Sequence, residues 1–540
     1  MDENKKFEEI VNKGIEEHFK RNPRIAVQFG IEEYERIVEP GTKEHIEENL
    51  KWFGQWINEL KQLEVKKLNF ENKISLKAIE YYHNINLFKH EEFPLWKRDP
   101  NGLAYFQEIT YLLFQRKGPT TDLAEILIIH IKKLPKYLEE FQSRFDETPI
   151  PIVWRDLALE TIETTPKILK AVTDAFTETS EVSTKLKNGL LEALKEFESI
   201  IKNHVKWINN LPVDTSEFAW ALGPEKFDKL LSIRKLPWDR KTLISKGNKL
   251  FSLGFKKIKQ ILKELYPGKT LSEGIKAFFE EDLIPSFQEV LEYTQSEAKR
   301  AKKFIESHDI ATIPQDNLKI IETPPHLIPI LPGAAYEPAP YFNKEQPGIF
   351  MISPTQKEFQ SYTYIPLWMV HEAYPGHHLD FASNNVFAPL VRLLGIAMET
   401  AEGWAIYCEE MMLQEGFYKN HKKTQQLISG TQVSEAMKII LDIQLHCRQR
   451  SISDATETLM NILSVSEVAA KASIVDYTRA PGYPLSYLTG KLLIDELRQK
   501  VEEKMGDKFT LKFFHDTILR SGDLPYYLLK EYFHEKIKNL

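Results

Sequence analysis

The chain has 540 residues, 42% hydrophobic and 28% charged, which is long enough for more than one packed core and too apolar for a disordered polymer. Its 71 lysines and arginines against 78 aspartates and glutamates leave a net charge of −7, which disfavours a strongly basic nucleic-acid binder. The two cysteines, Cys408 and Cys447, exclude a disulfide framework and a cysteine-rich zinc module.

No apolar run reaches the roughly 18 residues that span a bilayer, and the opening Met1-Asp-Glu-Asn-Lys-Lys has no signal-peptide pattern. The expectation is a cytoplasmic protein with no membrane and no nucleic-acid partner. Glycine is scarce, 23 residues, which argues against turn-dense β folds and glycine-rich phosphate loops and leaves helices to dominate.

Amphipathic patterns predict helices over about 42–66, 71–90, 121–143, 244–265 and 284–307, separated by breaks such as Glu92-Phe-Pro-Leu-Trp and Tyr266-Pro-Gly-Lys. The clearest stripe is Leu186, Leu190, Leu194, Phe197, Ile201, Val205 and Ile208, whose spacing of three and four predicts one long helix. From 312 to 354 prolines recur, at 314, 324, 325, 329, 332, 338, 340, 347 and 354, so a continuous helix is excluded there. Within this segment Gly348–Ile352 predicts a short strand, placed at a sheet edge because proline removes the ladder donors around it. After Pro354 helical patterns return. The domain reading is an N-terminal helical lobe, 1–311, a proline-rich segment with short strands, 312–354, and a helical lobe carrying the chemistry, 355–540.

The sharpest motif is His371-Glu-Ala-Tyr-Pro-Gly-His377-His378. On an ideal helix an i+6 partner lies about 240° round and an i+7 partner about 10.5 Å along the axis. Neither places two imidazoles on one ion at Zn–N distances of about 2.0–2.1 Å. Pro375 and Gly376 supply the distortion, and a bulge inserting two residues would return His377 to the place of an i+4 ligand. His377 is therefore the favoured second ligand beside His371, with His378 as the alternative.

Two histidines need a third ligand. Glu399, Glu402 and Glu409 share a helix face in Met398-Glu-Thr-Ala-Glu-Gly-Trp-Ala-Ile-Tyr-Cys-Glu409. Glu409 and Glu410 read as a solvated acidic face. Glu402, surrounded by Ala401, Gly403, Trp404 and Ala405, reads as a buried carboxylate that requires a metal or a partner.

His-Glu-x-x-Pro-Gly-His-His followed by Glu-Gly-Trp-Ala-x-Tyr resembles the DUF885 family, predicted metallopeptidases similar to the gluzincins. The resemblance continues through Asp442-x-x-x-His446, Pro481-Gly-Tyr-Pro-x-Ser-Tyr487-x-x-Gly490 and Ser521-Gly-Asp-Leu-Pro525. In gluzincin oligopeptidases the ligand glutamate follows the second histidine by about 25 residues, which is the step from His377 to Glu402. The sequence departs from the family pattern at Asp476, Tyr483 and Asp380, where Arg, Gln and Gln are usual, so no substrate preference carries over. The implied fold is mainly α, a two-lobed, zincin-like metallopeptidase.

The function expected is zinc-dependent hydrolysis of peptide bonds in short peptides, with one Zn²⁺ per chain on His371, His377 and Glu402 and with Glu372 as general base. Tyr487 and, second, His446 are candidates for stabilising the oxyanion, and Arg479 for binding a substrate carboxylate. The alternatives are a metal-dependent hydrolase of a non-peptide amide or ester, with the same residues, and a catalytically silent helical peptide-binding protein.

Overall fold

A computed structural model describes residues 2–315, 317–324, 328, 333–355 and 357–539; Pro325, Pro329 and Pro332 lie outside the described residues. The chain is mainly helical, with two small sheets among these residues.

The helices expected from periodicity form as Lys43–Lys61, Phe70–Glu91, Thr121–Gln142, Thr184–Asn209, Arg240–Leu265 and Phe287–Ser307. Each begins at a polar residue whose side chain accepts from a backbone N–H of the first turn: Thr42, Asn69, Thr120, Ser183, Asp239 and Ser286. The stripe of Thr184–Asn209 faces inward as expected, with Leu190, Leu194, Phe197, Ile201 and Ile208 buried. A fully buried side chain of that kind contributes about 1.5–3 kcal/mol relative to leaving it exposed.

Three large apolar cores result. The first draws on residues between Phe7 and Ile208, joined by Val391 and Leu394. The second and third combine residues from before and after the proline-rich segment: Ile74, Ile284 and Ala298 with Trp404 and Phe514 in one, Phe88 and Trp154 with Ile443 and Leu488 in the other.

The strand Gly348–Ile352 forms within the expected bounds, and its position corrects the edge-strand expectation. It is the central strand of three, parallel to Leu318–Glu322 and antiparallel to Ala334–Glu337, and all five of its residues are buried. The prolines lie between the strands and delimit them, so they leave the ladder donors intact.

The helix Met398–Gln414 makes its most extensive contact with Ser486–Met505. These helices meet backbone to backbone: a Cβ added at Gly403 would lie 2.5 Å from Gly490, and one at Gly490 would lie 1.8 Å from the Glu399 carbonyl oxygen. Two glycines at the crossing bring the elements carrying Glu402 and Tyr487 together.

Candidate metal centre

The helix Tyr364–Glu372 ends at the motif and a second, His377–Phe387, starts after four intervening residues, with a cis Tyr374–Pro375 peptide between them. The Gly376 N–H donates to the Val370 carbonyl at 3.0 Å and the Leu379 N–H to the Ala373 carbonyl at 3.2 Å. Both bonds reach six residues back instead of four, so the break inserts two residues, as Pro375 and Gly376 predict. A Cβ at Gly376 would lie 1.8 Å from the His371 carbonyl oxygen, so only glycine fits. The Trp404 indole N–H donates to the Pro375 carbonyl at 2.9 Å and ties the break to the Met398–Gln414 helix.

This places His377 beside His371, rings nearly perpendicular with centroids 5.0 Å apart. One ligand atom each from His371, His377 and Glu402 falls within a sphere of mutual distances below 4.8 Å. His377 Nε2 lies 3.5 Å from Glu402 Oε2. His378 points elsewhere: it is buried, with Nδ1 2.9 Å from the Tyr336 hydroxyl on the strand Ala334–Glu337. Of the two candidates for the second ligand, His377 has the geometry.

Glu409 overturns the expectation of a solvated acidic face. It is buried and accepts from His371 Nδ1 at 2.8 Å, which leaves His371 Nε2 to face the cluster. Glu399 is buried against Arg234 at 2.8 Å, and Glu410 pairs with Lys491 at 2.5 Å.

The electrostatics suit a cation. Burial would lower the His371 imidazole, but the Glu409 hydrogen bond and the charges of Glu372, Glu409 and Glu402 outweigh it and raise the ring to about 9. Burial would raise Glu402, yet His377, Tyr483 and His371 together hold its carboxyl down to about 2. His377 Nδ1 is buried without a hydrogen-bond partner among the described residues. Two imidazoles and a carboxylate, with one imidazole anchored from behind by a second carboxylate, are a donor set that fits Zn²⁺.

Two phenols extend the site. The Tyr483 hydroxyl donates to Glu402 Oε1 at 2.7 Å and lies 2.8 Å from the Tyr487 hydroxyl. Burial and the Glu402 charge raise both phenols well above their ordinary range, so both stay protonated donors. Tyr483, which the sequence marks as a departure from the family pattern, precedes Tyr487 by four residues, just before the helix Ser486–Met505, and that spacing is the signal that joins the two. Asp442 holds their segment by accepting from the Gly482 and Leu485 N–H groups at 3.1 Å each, and Arg234 donates to the Gly482 carbonyl and the Ser486 hydroxyl.

Two expected site residues lie outside this arrangement. His446 is fully buried between Phe93, Trp220 and Phe227, with Nε2 2.9 Å from the Tyr477 carbonyl and Nδ1 accepting from the Leu222 N–H at 3.4 Å. With both nitrogens engaged by backbone it has no donor for an oxyanion; it is a core histidine, pushed down by burial to about 4. Arg479 pairs with Asp99 through one guanidinium nitrogen, with its side chain 32% exposed. Glu372 ends the motif helix half-buried, and its charge is felt by His371 and Tyr483.

A family model described as "Bacterial protein of unknown function (DUF885)" matches residues 23–532. Among solved structures, a provisionally described lipoprotein from Colwellia psychrerythraea is similar at a TM-score of 0.83 and 18% identity, covering 100% of both chains. Another, provisionally described as a lipoprotein of unknown function from Shewanella oneidensis, has a TM-score of 0.77 and 16% identity, covering 97% of this chain and 99% of its own. At these identities the likeness is one of fold. No curated protein matches the chain.

Proposed function

The chain belongs to the DUF885 family of bacterial proteins of unknown function, and from that premise we propose that it is a zinc-dependent peptidase acting on short peptides, with a two-lobed, zincin-like arrangement around the site. The observation that carries the proposal is the convergence of His371, His377 and Glu402 with Glu409 behind His371. His371, His377 and Glu402 would hold the ion. When bound, zinc supplies Lewis-acid chemistry, lowering the pKa of water toward ~7 and polarising a carbonyl.

The protein's own groups do the rest. The Glu372 carboxylate takes the proton of the attacking water and hands it to the leaving amine. Glu409 fixes the His371 ring in one tautomer by accepting its Nδ1 proton. Tyr483 orients Glu402 by donating to Oε1, and Tyr487, hydrogen-bonded behind it, is the phenol that can turn toward the oxygen on which negative charge develops. Among the described residues Ala334–Glu337, which carries Tyr336 against His378, is an edge strand that can align an extended peptide, whereas Gly348–Ile352 is paired on both sides.

A cytoplasmic setting is supported by Cys408 and Cys447, both buried and unbridged. The lipoprotein description of the two structural neighbours favours the envelope instead, and cell fractionation separates these readings.

The test is Glu372→Gln on purified protein with a library of dipeptides and N-blocked peptides. Peptide hydrolysis is expected to fall by about 10²–10⁴-fold with zinc content unchanged. Hydrolysis that survives the change, or cleavage of non-peptide amides and esters alone, would refute the peptidase reading.

A further inference from the structure

Four cations flank the segment that carries Tyr483 and Tyr487. Arg234 is buried and committed to Glu399, Ser486 and the Gly482 carbonyl. Arg479 is held by Asp99, and Lys491 bridges Glu410 and Asp495 at 2.5 and 2.7 Å with its side chain 10% exposed. Lys438 is set apart by its contact with the site: its ammonium lies 3.6 Å from the centre of the Tyr487 ring, with its side chain 25% exposed and Glu435, at 2.9 Å on its own helix, as its acidic partner.

The chain of contacts from the candidate metal centre is continuous: Glu402 to the Tyr483 hydroxyl, that hydroxyl to Tyr487, and the Tyr487 ring to Lys438. The ammonium therefore stands one tyrosine ring beyond the phenol pair. Its surroundings are otherwise acidic: Glu402 and Glu435 both act on Tyr487, Glu372 and Glu402 on Tyr483, and Glu372, Glu402 and Glu409 on His371. An anionic end of a substrate entering such a site needs a cation, and a lysine lying on an aromatic face can present its remaining donors to it. Three donors on one ammonium can serve Glu435 and a second carboxylate together.

We infer that Lys438 receives the free α-carboxylate of a peptide, so that the site takes the C-terminal end of short peptides and cuts close to it. This rests on the peptidase reading of the same site and adds the substrate class to it. Lys438 acts on binding, as a specificity determinant, and takes no part in proton transfer.

The experiment uses zinc-loaded full-length protein and N-blocked peptides made in pairs, identical except for a free carboxylate or an amide at the C-terminus. The free acids are expected to be cleaved about ten- to hundredfold more efficiently, mainly through KM, as fits a charge-assisted hydrogen bond. Lys438→Met is expected to erase that preference and Lys438→Arg to restore part of it. Equal cleavage of acid and amide by the wild type, or an undiminished preference in Lys438→Met, would overturn the assignment. So would an amide with a penultimate aspartate that is cleaved as well as the free acid, since a side-chain carboxylate would then be the ligand. Calorimetric binding of the same peptides to Glu372→Gln separates the two layers. Carboxylate-selective binding without cleavage by the wild type would refute the peptidase reading alone, whereas binding indifferent to the carboxylate would refute the role of Lys438.

Discussion

The His371 imidazole donates its Nδ1 proton to Glu409 Oε1, and Thr431 donates to the other oxygen at 3.4 Å, so the ring is fixed with Nε2 toward His377 and Glu402. Removing that anchor leaves the ligand atoms in place and frees their orientation. Glu409→Ala is expected to weaken zinc binding about 10–100-fold in competition with a chromophoric chelator. Glu410→Ala, which breaks a pair with Lys491, is expected to leave it unchanged. Equal affinities in the two variants would contradict the anchoring role. The ligands themselves were legible, because Pro375-Gly376 explains an unusual histidine spacing and small residues flank Glu402. Glu409 was not, since an acid on a helix face reads as solvated when its partner lies 38 residues away in the chain. The same limit hid the commitments of His446 and Arg479, whose partners are Tyr477, Leu222 and Asp99.

Among the elements, the break between Tyr364–Glu372 and His377–Phe387 decides whether the second histidine reaches the first. Gly376→Ala places a methyl 1.8 Å from the His371 carbonyl oxygen and 2.4 Å from that of Val370. The backbone must move, at a cost of about 1–3 kcal/mol as for other overpacked sites, and the movement displaces the adjacent His377. The expected result is a lower Tm together with weaker zinc binding. A variant that loses stability but binds zinc as the wild type does would show that the break does not position His377. Helices were readable from the sequence wherever an apolar stripe followed a Ser, Thr, Asn or Asp cap, as at Ser183 before the Thr184–Asn209 stripe. The sheet was not, because its order depends on pairing between distant strands: Gly348–Ile352 is all buried and central, and no local signal separates a central strand from an edge one of that length.

For the whole molecule, the buried histidines link stability to pH. Burial lowers the folded pKa of His446 from 6.5 to about 4. Between those values the unfolded chain takes up a proton that the folded chain does not, so stability is full above pH 6.5 and falls as the pH drops toward 4. The share of this one group is on the order of 3 kcal/mol. His446→Gln is expected to lower stability at pH 7 through its altered packing, and to narrow its gap from the wild type as the pH approaches 4.5, read from urea unfolding. A gap independent of pH would contradict the assignment of His446 as a neutral core residue. The central claim is that His371, His377 and Glu402 together hold one ion, and anomalous X-ray diffraction at the zinc edge on crystals of the zinc-treated protein tests it most directly. The account predicts one peak per chain, about 2.0–2.2 Å from His371 Nε2, His377 and a Glu402 oxygen; no peak there, or one bound to His378 with His377 free, would contradict it.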